Sequence, residues 1–370
     1  MTDTTRPTMI FHAAYPLKAE PRNASALRPV RMRSAFEEIG YEVIEISGFH
    51  AQRREQIKAL KHRIESGLEV AFVYSEAATT PTGLGEPVTP ATSLTRDISF
   101  LRFCQRRGIP VGLFYRDIYW CFPIYTETVK WPIATILRRF YRWDLRRYRR
   151  AGFRIYLPSE QMADWMPIID RARVGPLPPG GDPHPSATTD SAGRLRLLYV
   201  GGLGSNYRLH ESVKEMSGLE GVEITLCMPE AHWVDRRNEY ERLISDNIRI
   251  VHESGAALER LYANTDACML VVEPIKYWGF AAPVKLFEYL SYGKPILASN
   301  DTFSGDFVRD NGLGWSVEYG SGQLRELLEA LRSSPERLAT VAKHVREVRE
   351  DHTWQARARE VARDLAGRGA

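Results

Sequence analysis

The residues best suited to chemistry are Lys285 and Glu288, three positions apart in the run PVKLFEYLSYGKPI that begins at Pro283. Proline suits the start of a helix, and residues three apart share one helix face, so we predict a helix over 284–292. The positive N-terminal end of such a helix, together with the Lys285 ammonium, suits a diphosphate. The Glu288 carboxylate can accept hydrogen bonds from a vicinal diol such as that of ribose. On spacing alone, an amphipathic helix with a lysine–glutamate surface pair explains the run equally well.

A second candidate anion site follows the apolar run Leu195–Val200, where the chain continues as Gly-Gly-Leu-Gly. Glycines after a strand let backbone N–H groups approach an anion closely. A purely structural turn explains the same glycines. The candidate phosphate-site residues of this loop and of the predicted helix start are Gly201, Gly202, Gly204, Asn206, Tyr207, Arg208, Ala282, Pro283 and Val284.

The first half of the chain offers candidates for a general base. Asp117 directly follows the apolar run 111–115, and side chains at the carboxyl ends of parallel strands face the ligand crevice. The predicted catalytic residues are Asp117 and His12. The predicted contacts of an acceptor substrate, such as a sugar or a lipid, are Arg116, Tyr119 and Trp120. Alternatively, Arg116 and Asp117 form a local structural pair, the aromatic side chains belong to the core and His12 is structural.

Short apolar runs alternate with longer helical stretches, which is typical of βα units and parallel sheets. In the first half, strands are predicted at 8–12, 42–46, 70–74, 111–115 and 153–157, and helices at 26–39, 53–65 and 98–107. In the second half, strands are predicted at 195–200, 222–227, 248–251, 267–272 and 295–298, and helices at 211–216, 256–263, 284–292, 323–332 and 335–351. The predicted fold class is therefore α/β, with two doubly wound Rossmann-like halves.

The stretch VGPLPPGGDP at 174–183 separates the two halves, because its prolines and glycines can form neither a helix nor a central strand. We therefore predict an N-terminal domain over residues 1–177, which carries the candidate base and the candidate acceptor contacts. A nucleotide-binding domain is predicted over residues 178–352.

Composition excludes several other classes of protein. The 370 residues carry a formal net charge of +4, and 44% of them are hydrophobic, enough for a core in each half. The four cysteines are widely spaced, so neither a disulfide framework nor a usual zinc site is expected, and the cytoplasm is the expected location. No signal peptide and no membrane-spanning run are recognised.

Residues 130–154 carry nine lysines and arginines but one acid, with aromatic and aliphatic residues interleaved. Such a stretch can lie in an anionic membrane interface, where each basic residue contributes about 1 kcal/mol. We therefore expect peripheral contact with the inner face of the cell membrane. The alternative is a helix that packs its aromatic side chains inward and leaves its arginines in water. Nucleic acid is not expected to bind, since no RNA- or DNA-binding motif accompanies these charges.

The run at 283–296 resembles the donor-binding signature of family 4-like GT-B glycosyltransferases (glycosyltransferase group 1), commonly P-x-K-x-x-E-x-x-A-x-G-x-P-V. The resemblance implies two Rossmann-like domains whose parallel sheets face a central cleft, with residues 353–370 as a helix that crosses back to the first domain. It implies that Lys285 binds the donor diphosphate and that Glu288 binds the ribose hydroxyls. Arg208 would be a second diphosphate contact, and Glu253 would lie in the nucleobase loop, unless that loop only carries a helix cap at Ser254.

The implied reaction is transfer of a sugar from a nucleotide diphosphate sugar, of the UDP type, to a hydroxyl group of a glycan or lipid-linked acceptor. The implied role is cell-surface polysaccharide or glycolipid synthesis, without a cofactor or a metal ion. Many members carry a second glutamate where this sequence has Phe280, which leaves the sugar contact and the stereochemistry open. The alternatives are a sugar-nucleotide epimerase of the same fold and a non-catalytic nucleotide-sugar-binding homologue.

Overall fold

The computed structural model describes residues 6–17, 24–84, 93–185, 193–204 and 206–367. The chain divides into two compact units. Residues 1–178 and 354–370 form the first unit, and residues 179–353 form the second. Each unit is built on one parallel sheet, so the predicted α/β class with two doubly wound halves is confirmed.

The sheet of the first unit has six strands: β1 (Thr8–Ala13), β2 (Glu42–Ile46), β3 (Val73–Glu76), β4 (Val111–Phe114), β5 (Arg154–Leu157) and β6 (Val174–Pro176). They lie in the order β2-β1-β3-β4-β5-β6. The helices between them are α1 (Ala24–Glu38), α2 (His50–Glu65), α3 (Ser93–Arg106), α4 (Tyr125–Thr128) and α5 (Ile133–Ala151). Strands β3 and β4 are buried along their whole length, as expected for a parallel sheet covered on both faces.

The sheet of the second unit also has six strands: β7 (Leu195–Val200), β8 (Val222–Cys227), β9 (Ile248–Val251), β10 (Ala267–Leu270), β11 (Ile296–Ser299) and β12 (Gly314–Val317). They lie in the order β12-β11-β10-β7-β8-β9. The helices of this unit are α6 (His210–Met216), α7 (Glu230–Tyr240), α8 (Ala256–Ala263), α9 (Val284–Ser291), α10 (Phe303–Asp310), α11 (Gln323–Ser333) and α12 (Pro335–Val348). Two apolar cores cover this sheet.

The last helix, α13 (Trp354–Ala366), belongs to the first unit. Trp354, Ala358, Val361 and Leu365 recur at helical spacing and are buried in the core of that unit. On the same helix, Asp364 accepts hydrogen bonds from Arg154 and Tyr156 of β5. The helix predicted at the carboxyl end of the chain is therefore a structural part of the first unit.

The predicted linker is wrong at its first residues, because Val174–Pro176 forms strand β6. This segment pairs in parallel with β5, from Ile155 to Leu157. Its sequence forbids a central strand, but an edge strand tolerates a proline that has no N–H to donate. The sequence also did not predict α7, α10 and β12, and of these α7 has little apolar periodicity.

Candidate functional site

In the second unit, the strand order places a ligand crevice beside β7 and β10. These strands are neighbours, but the chain continues from β7 to β8 on one side and from β10 to β11 on the other. Ligands of doubly wound sheets bind outside the carboxyl ends of the strands at such a reversal. Gly201 follows β7, and the loop after β10 leads into α9. The two predicted phosphate-binding elements therefore flank one crevice.

Gly201 and Lys285 touch at this crevice. A side-chain Cβ at Gly201 would overlap the Nζ and Cε atoms of Lys285. The N–H of Gly201 donates to the Cys227 carbonyl at 2.9 Å, which extends the ladder between β7 and β8 and fixes the start of the loop. Glycine at this position therefore makes room for an ammonium group beside the loop backbone.

Two tyrosines hold the ammonium group of Lys285. Nζ donates a hydrogen bond to the Tyr199 hydroxyl at 3.1 Å and lies 3.7 Å from the centre of the Tyr207 ring, which is a cation–π contact. The Tyr199 hydroxyl donates in turn to the Gly202 carbonyl at 2.7 Å. Burial lowers the pKa of Lys285 to about 7, although the Glu288 carboxylate acts in the opposite direction. A bound anion would therefore stabilise the protonated form of this lysine.

The rest of the glycine-rich loop is a tight turn tied to the loop after β10. The Tyr207 N–H donates to the Gly204 carbonyl at 3.1 Å. Trp278 donates from Nε1 to the Asn206 carbonyl at 2.7 Å, and its ring centre lies 4.6 Å from that of Tyr207. Trp278, which the sequence did not single out, thus holds Tyr207 in place over Lys285.

Glu288 lies one turn after Lys285 on α9 and is partly buried. Burial raises the pKa of its carboxyl group, while the nearby Tyr262 hydroxyl and the charge of Lys285 lower it. The Tyr262 ring stacks on Tyr292 with 3.8 Å between the ring centres. This stack fixes the hydroxyl beside the carboxylate, and such a contact between distant segments cannot be predicted from local sequence patterns.

Helix α9 begins at Val284, and among the described residues no side chain caps its N-terminus. Ala282, Pro283 and Val284 are partly exposed. The first N–H groups of the helix therefore remain for an external acceptor such as a phosphate. Phe280 is 1% exposed and has its ring against Tyr277, so that position offers no polar group to a sugar.

Arg208 lies at the outer edge of this crevice and pairs with Glu273 at 3.4 Å. The Glu273 N–H also donates to the Arg208 carbonyl at 2.9 Å. Both residues line a polar pocket of about 310 Å³ together with Gly204, His210, Glu211, Arg236, Glu239 and Tyr319. A phosphate contact by Arg208 would have to compete with Glu273, a carboxylate that the sequence did not single out.

The loop after β9 places Glu253 near Glu288. The Cys227 thiol donates to the Glu253 carbonyl at 3.4 Å. Burial and the charges of the two glutamates raise the pKa of that thiol, although its hydrogen bond lowers it. The alternative explanation of this loop, a helix cap at Ser254, is wrong. The residue before α8 is Gly255, with a φ of 55°, and among the described residues no side chain caps this helix.

In the first unit, the strand order reverses between β1 and β3, and a buried charge cluster lies there. Glu76, the last residue of β3, is 1% exposed and pairs with Arg28 at 3.3 Å and Arg116 at 3.4 Å. Arg116 also donates to the Tyr15 hydroxyl at 2.8 Å. The predicted strand ended at Tyr74, so the sequence missed Glu76, the partner that draws the Arg116 side chain inward.

Asp117 lies just beyond β4 at the same edge of the sheet. Its Oδ1 accepts the Tyr119 N–H at 2.8 Å, a turn typical of aspartate, and both residues are partly exposed. Trp120 is only 3% exposed. Its ring stacks on Tyr141 with 5.0 Å between centres, and Nε1 donates to the Tyr115 hydroxyl at 3.1 Å. The predicted acceptor contact by Trp120 is therefore wrong, because this ring belongs to the core.

His12 is 2% exposed, and both of its ring nitrogens have partners. Nδ1 lies 2.8 Å from the Ser75 hydroxyl, and Nε2 lies 3.1 Å from Asp97. Asp97 also pairs with Arg53 at 2.9 Å. Burial raises the pKa of Asp97, but these two partners outweigh it and lower the pKa to about 2. The structure contradicts the catalytic prediction for His12, whose imidazole is part of a buried, satisfied network.

A family model described as glycosyl transferase-like matches residues 208–363, which include both Lys285 and Glu288. No curated protein matches the chain in sequence. Among the described residues, none forms a helix long and apolar enough to cross a membrane.

Solved structures match nearly the whole chain at low sequence identity. WaaG, a glycosyltransferase involved in lipopolysaccharide biosynthesis, has a TM-score of 0.58 at 15% identity, covering 97% of this chain and 100% of WaaG. HepE from Anabaena, in complex with UDP and glucose, has a TM-score of 0.61 at 12% identity, covering 97% and 100%. Sucrose-phosphate synthase from Thermosynechococcus elongatus has a TM-score of 0.61 at 12% identity, covering 97% and 98%. At these identities the matches establish the fold.

Proposed function

We propose that this chain, which has the GT-B fold, is a glycosyltransferase that transfers a sugar from a UDP-sugar to a hydroxyl group of a glycan or lipid-linked acceptor. The contact between Lys285 and Gly201 carries this proposal. It brings an ammonium group, a glycine-rich loop and an uncapped helix N-terminus to the same crevice. These are the groups that bind a diphosphate.

The same groups suit the chemistry of transfer. As the bond between the sugar and the diphosphate breaks, negative charge grows on the leaving phosphate oxygens. Preorganised N–H groups and the Lys285 ammonium stabilise that charge more in the transition state than in the ground state. Glu288 would hold the ribose through its hydroxyls. No metal ion is required for this step.

The nucleotide and the product class are supported by similar structures. HepE was solved with UDP-glucose, and WaaG takes part in lipopolysaccharide biosynthesis. HepE thus supports a uridine nucleotide as donor, and WaaG supports a cell-surface glycan or glycolipid as product. Glu253, in the loop beside Glu288, is the proposed contact of the nucleobase.

The proposed reaction can be tested with a panel of UDP-, GDP- and dTDP-sugars. We expect release of free UDP that depends on an acceptor extract, measured by chromatography. Conversion of a donor into another sugar nucleotide without acceptor would instead identify an epimerase. Donor binding without any turnover would identify a non-catalytic homologue.

Gly201→Ala is expected to weaken UDP binding about tenfold, because the new methyl group displaces the Lys285 ammonium from the loop backbone. Gly279→Ala is the matched control, since a Cβ at that glycine meets nothing within 4 Å and the residue lies outside the glycine-rich loop. Calorimetric titration of both variants with UDP compares them directly. Equal affinities in the two variants would contradict the assigned contact.

A membrane surface is proposed as the location of the reaction, because α5 presents two complementary features to solvent. Near its N-terminus, Trp131, Ile133 and Ile136 are 80%, 57% and 52% exposed. Along its outer face lie the exposed arginines Arg139, Arg142, Arg146, Arg149 and Arg150. Its inner face is fixed, for example by Asp144, which accepts the Thr82 N–H at 2.7 Å. An apolar end beside a basic stripe is complementary to an anionic lipid surface.

The double variant Arg139→Gln/Arg142→Gln is expected to bind phosphatidylglycerol vesicles about thirtyfold more weakly, at about 1 kcal/mol for each charge. Flotation with phosphatidylglycerol and with pure phosphatidylcholine vesicles measures this. Ile136→Ser should weaken binding as well. Phe49→Ser removes an equally exposed apolar residue outside α5 and should not. Binding that is independent of lipid charge would contradict the proposal.

A further inference from the structure

We propose that His232 is a further residue of the sugar-nucleotide site. Its imidazole donates a hydrogen bond to the diphosphate of the sugar nucleotide. This inference rests on the proposed function and adds a residue to its site. His232 lies in the first turn of α7, a helix that the sequence did not predict.

The position of His232 is defined by Gly202. A Cβ at Gly202 would lie 2.7 Å from the Nδ1 atom and 2.9 Å from the Cε1 atom of His232. The imidazole therefore rests against the backbone of the glycine-rich loop. Gly201, the preceding residue, makes the equivalent approach to Lys285. The two consecutive glycines thus admit one nitrogen-bearing side chain each.

The Lys285 ammonium and the His232 ring lie against neighbouring residues of the same loop. Consecutive Cα atoms lie 3.8 Å apart, so the Lys285 ammonium and the His232 ring lie within roughly 11 Å of each other. A diphosphate carries negative charge on two phosphate groups, and we expect each of these side chains to reach one of them. Two side chains that each donate hydrogen bonds can bind the two phosphate groups better than one side chain can.

The His232 ring is also available for a ligand. The residue is exposed, and among the described residues its imidazole has no hydrogen-bond partner. Its backbone N–H donates to the Pro229 carbonyl at 3.0 Å, and among the described residues no side chain caps the N-terminus of α7. The position of the ring is thus consistent with a role in binding and has no evident role in folding.

Titration calorimetry of His232→Ala with UDP, UMP and uridine tests this contact. We expect a loss of about tenfold in affinity for UDP, a smaller loss for UMP and no change for uridine, because only the phosphates lose a donor. His232→Asn, whose amide can occupy the position of Nδ1, should restore UDP binding to within about threefold. The matched control is His344→Ala, an exposed histidine on α12, which should bind all three ligands normally.

The outcomes separate this contact from the donor site as a whole. UDP affinity unchanged in His232→Ala but lost in Lys285→Met would overturn the role of His232 and leave the donor site in place. Equal losses for uridine and UDP would also overturn it, because they would indicate a structural effect on the nucleoside pocket. If Lys285→Met binds UDP normally too, both the contact and the proposed donor site fail.

Discussion

Lys285→Met is expected to weaken UDP binding roughly a thousandfold at neutral pH, because the diphosphate would lose the charged partner that holds it in a partly buried crevice. In the structure, the Nζ of Lys285 lies beside Gly201, within hydrogen-bond distance of the Tyr199 hydroxyl and over the Tyr207 ring. Calorimetric titration with UDP measures the loss. Lys343→Met, at an exposed lysine on α12, is the control and should bind UDP as the wild type does.

The charge of Lys285 also sets the pH dependence of donor binding. Burial lowers the pKa of Lys285 to about 7 in the empty site, so the lysine is charged below that pH and loses its proton above it. A bound diphosphate raises the pKa of Lys285 again, so UDP binding above pH 7 is accompanied by the uptake of a proton. The affinity for UDP therefore falls by up to about tenfold for each pH unit above 7. We expect this fall between about pH 7.5 and 9, where the terminal phosphate of UDP, with a pKa of about 6, is already fully ionised.

In Lys285→Met this fall in affinity should disappear. Proton uptake can be measured independently, from the dependence of the binding enthalpy on the ionisation enthalpy of the buffer. A wild-type affinity that stays constant from pH 7.5 to 9 would show that Lys285 keeps its charge in the empty site. That result would contradict the predicted link between UDP binding and proton uptake, but not the contact between Lys285 and the diphosphate.

The part of the donor site that could be predicted is the part encoded locally. Lys285 and Glu288 are three residues apart, and helical geometry alone fixes their common face. The strand that precedes the glycines is equally local, because β7 is one apolar run. Both predictions needed no knowledge of how distant parts of the chain pack.

The partners of these residues could not be predicted, because they come from other elements. Tyr199, Tyr262 and Trp278 reach the site only through the packing of β7, α8 and the loop after β10. Each is an ordinary apolar or aromatic residue in its own segment, where burial is the simplest explanation. The specific role appears only when the loops are brought together.

The errors in the first unit have the same origin. The local sequence around His12, at a strand end, and Trp120, in a loop, does not indicate whether their side chains point to the core or to solvent. Buried polar partners on β3 and α3 satisfy His12, and Tyr141 on α5 provides the surface on which Trp120 stacks. Asp117 differs from these two residues: its Oδ1 accepts the nearby Tyr119 N–H, and the residue is partly exposed.

Asp117→Asn is therefore the second substitution expected to have a large effect, a loss of about a hundredfold or more in kcat with UDP binding unchanged. A general base removes the proton of the acceptor hydroxyl, and asparagine cannot do so. The amide oxygen still accepts the Tyr119 N–H, so the turn after β4 should persist. Rates with a UDP-sugar and acceptor, together with UDP titration, separate turnover from donor binding.

Asp170→Asn supplies a matched control for Asp117→Asn, because Asp170 accepts the Ala172 N–H two residues ahead in the same kind of turn, elsewhere in the first unit. It should leave both kcat and UDP affinity unchanged. Equal rates in the two variants would remove Asp117 as the base and favour a mechanism that needs none, as in retaining transfer. A loss confined to Asp117→Asn would favour inversion, which the buried Phe280 leaves open.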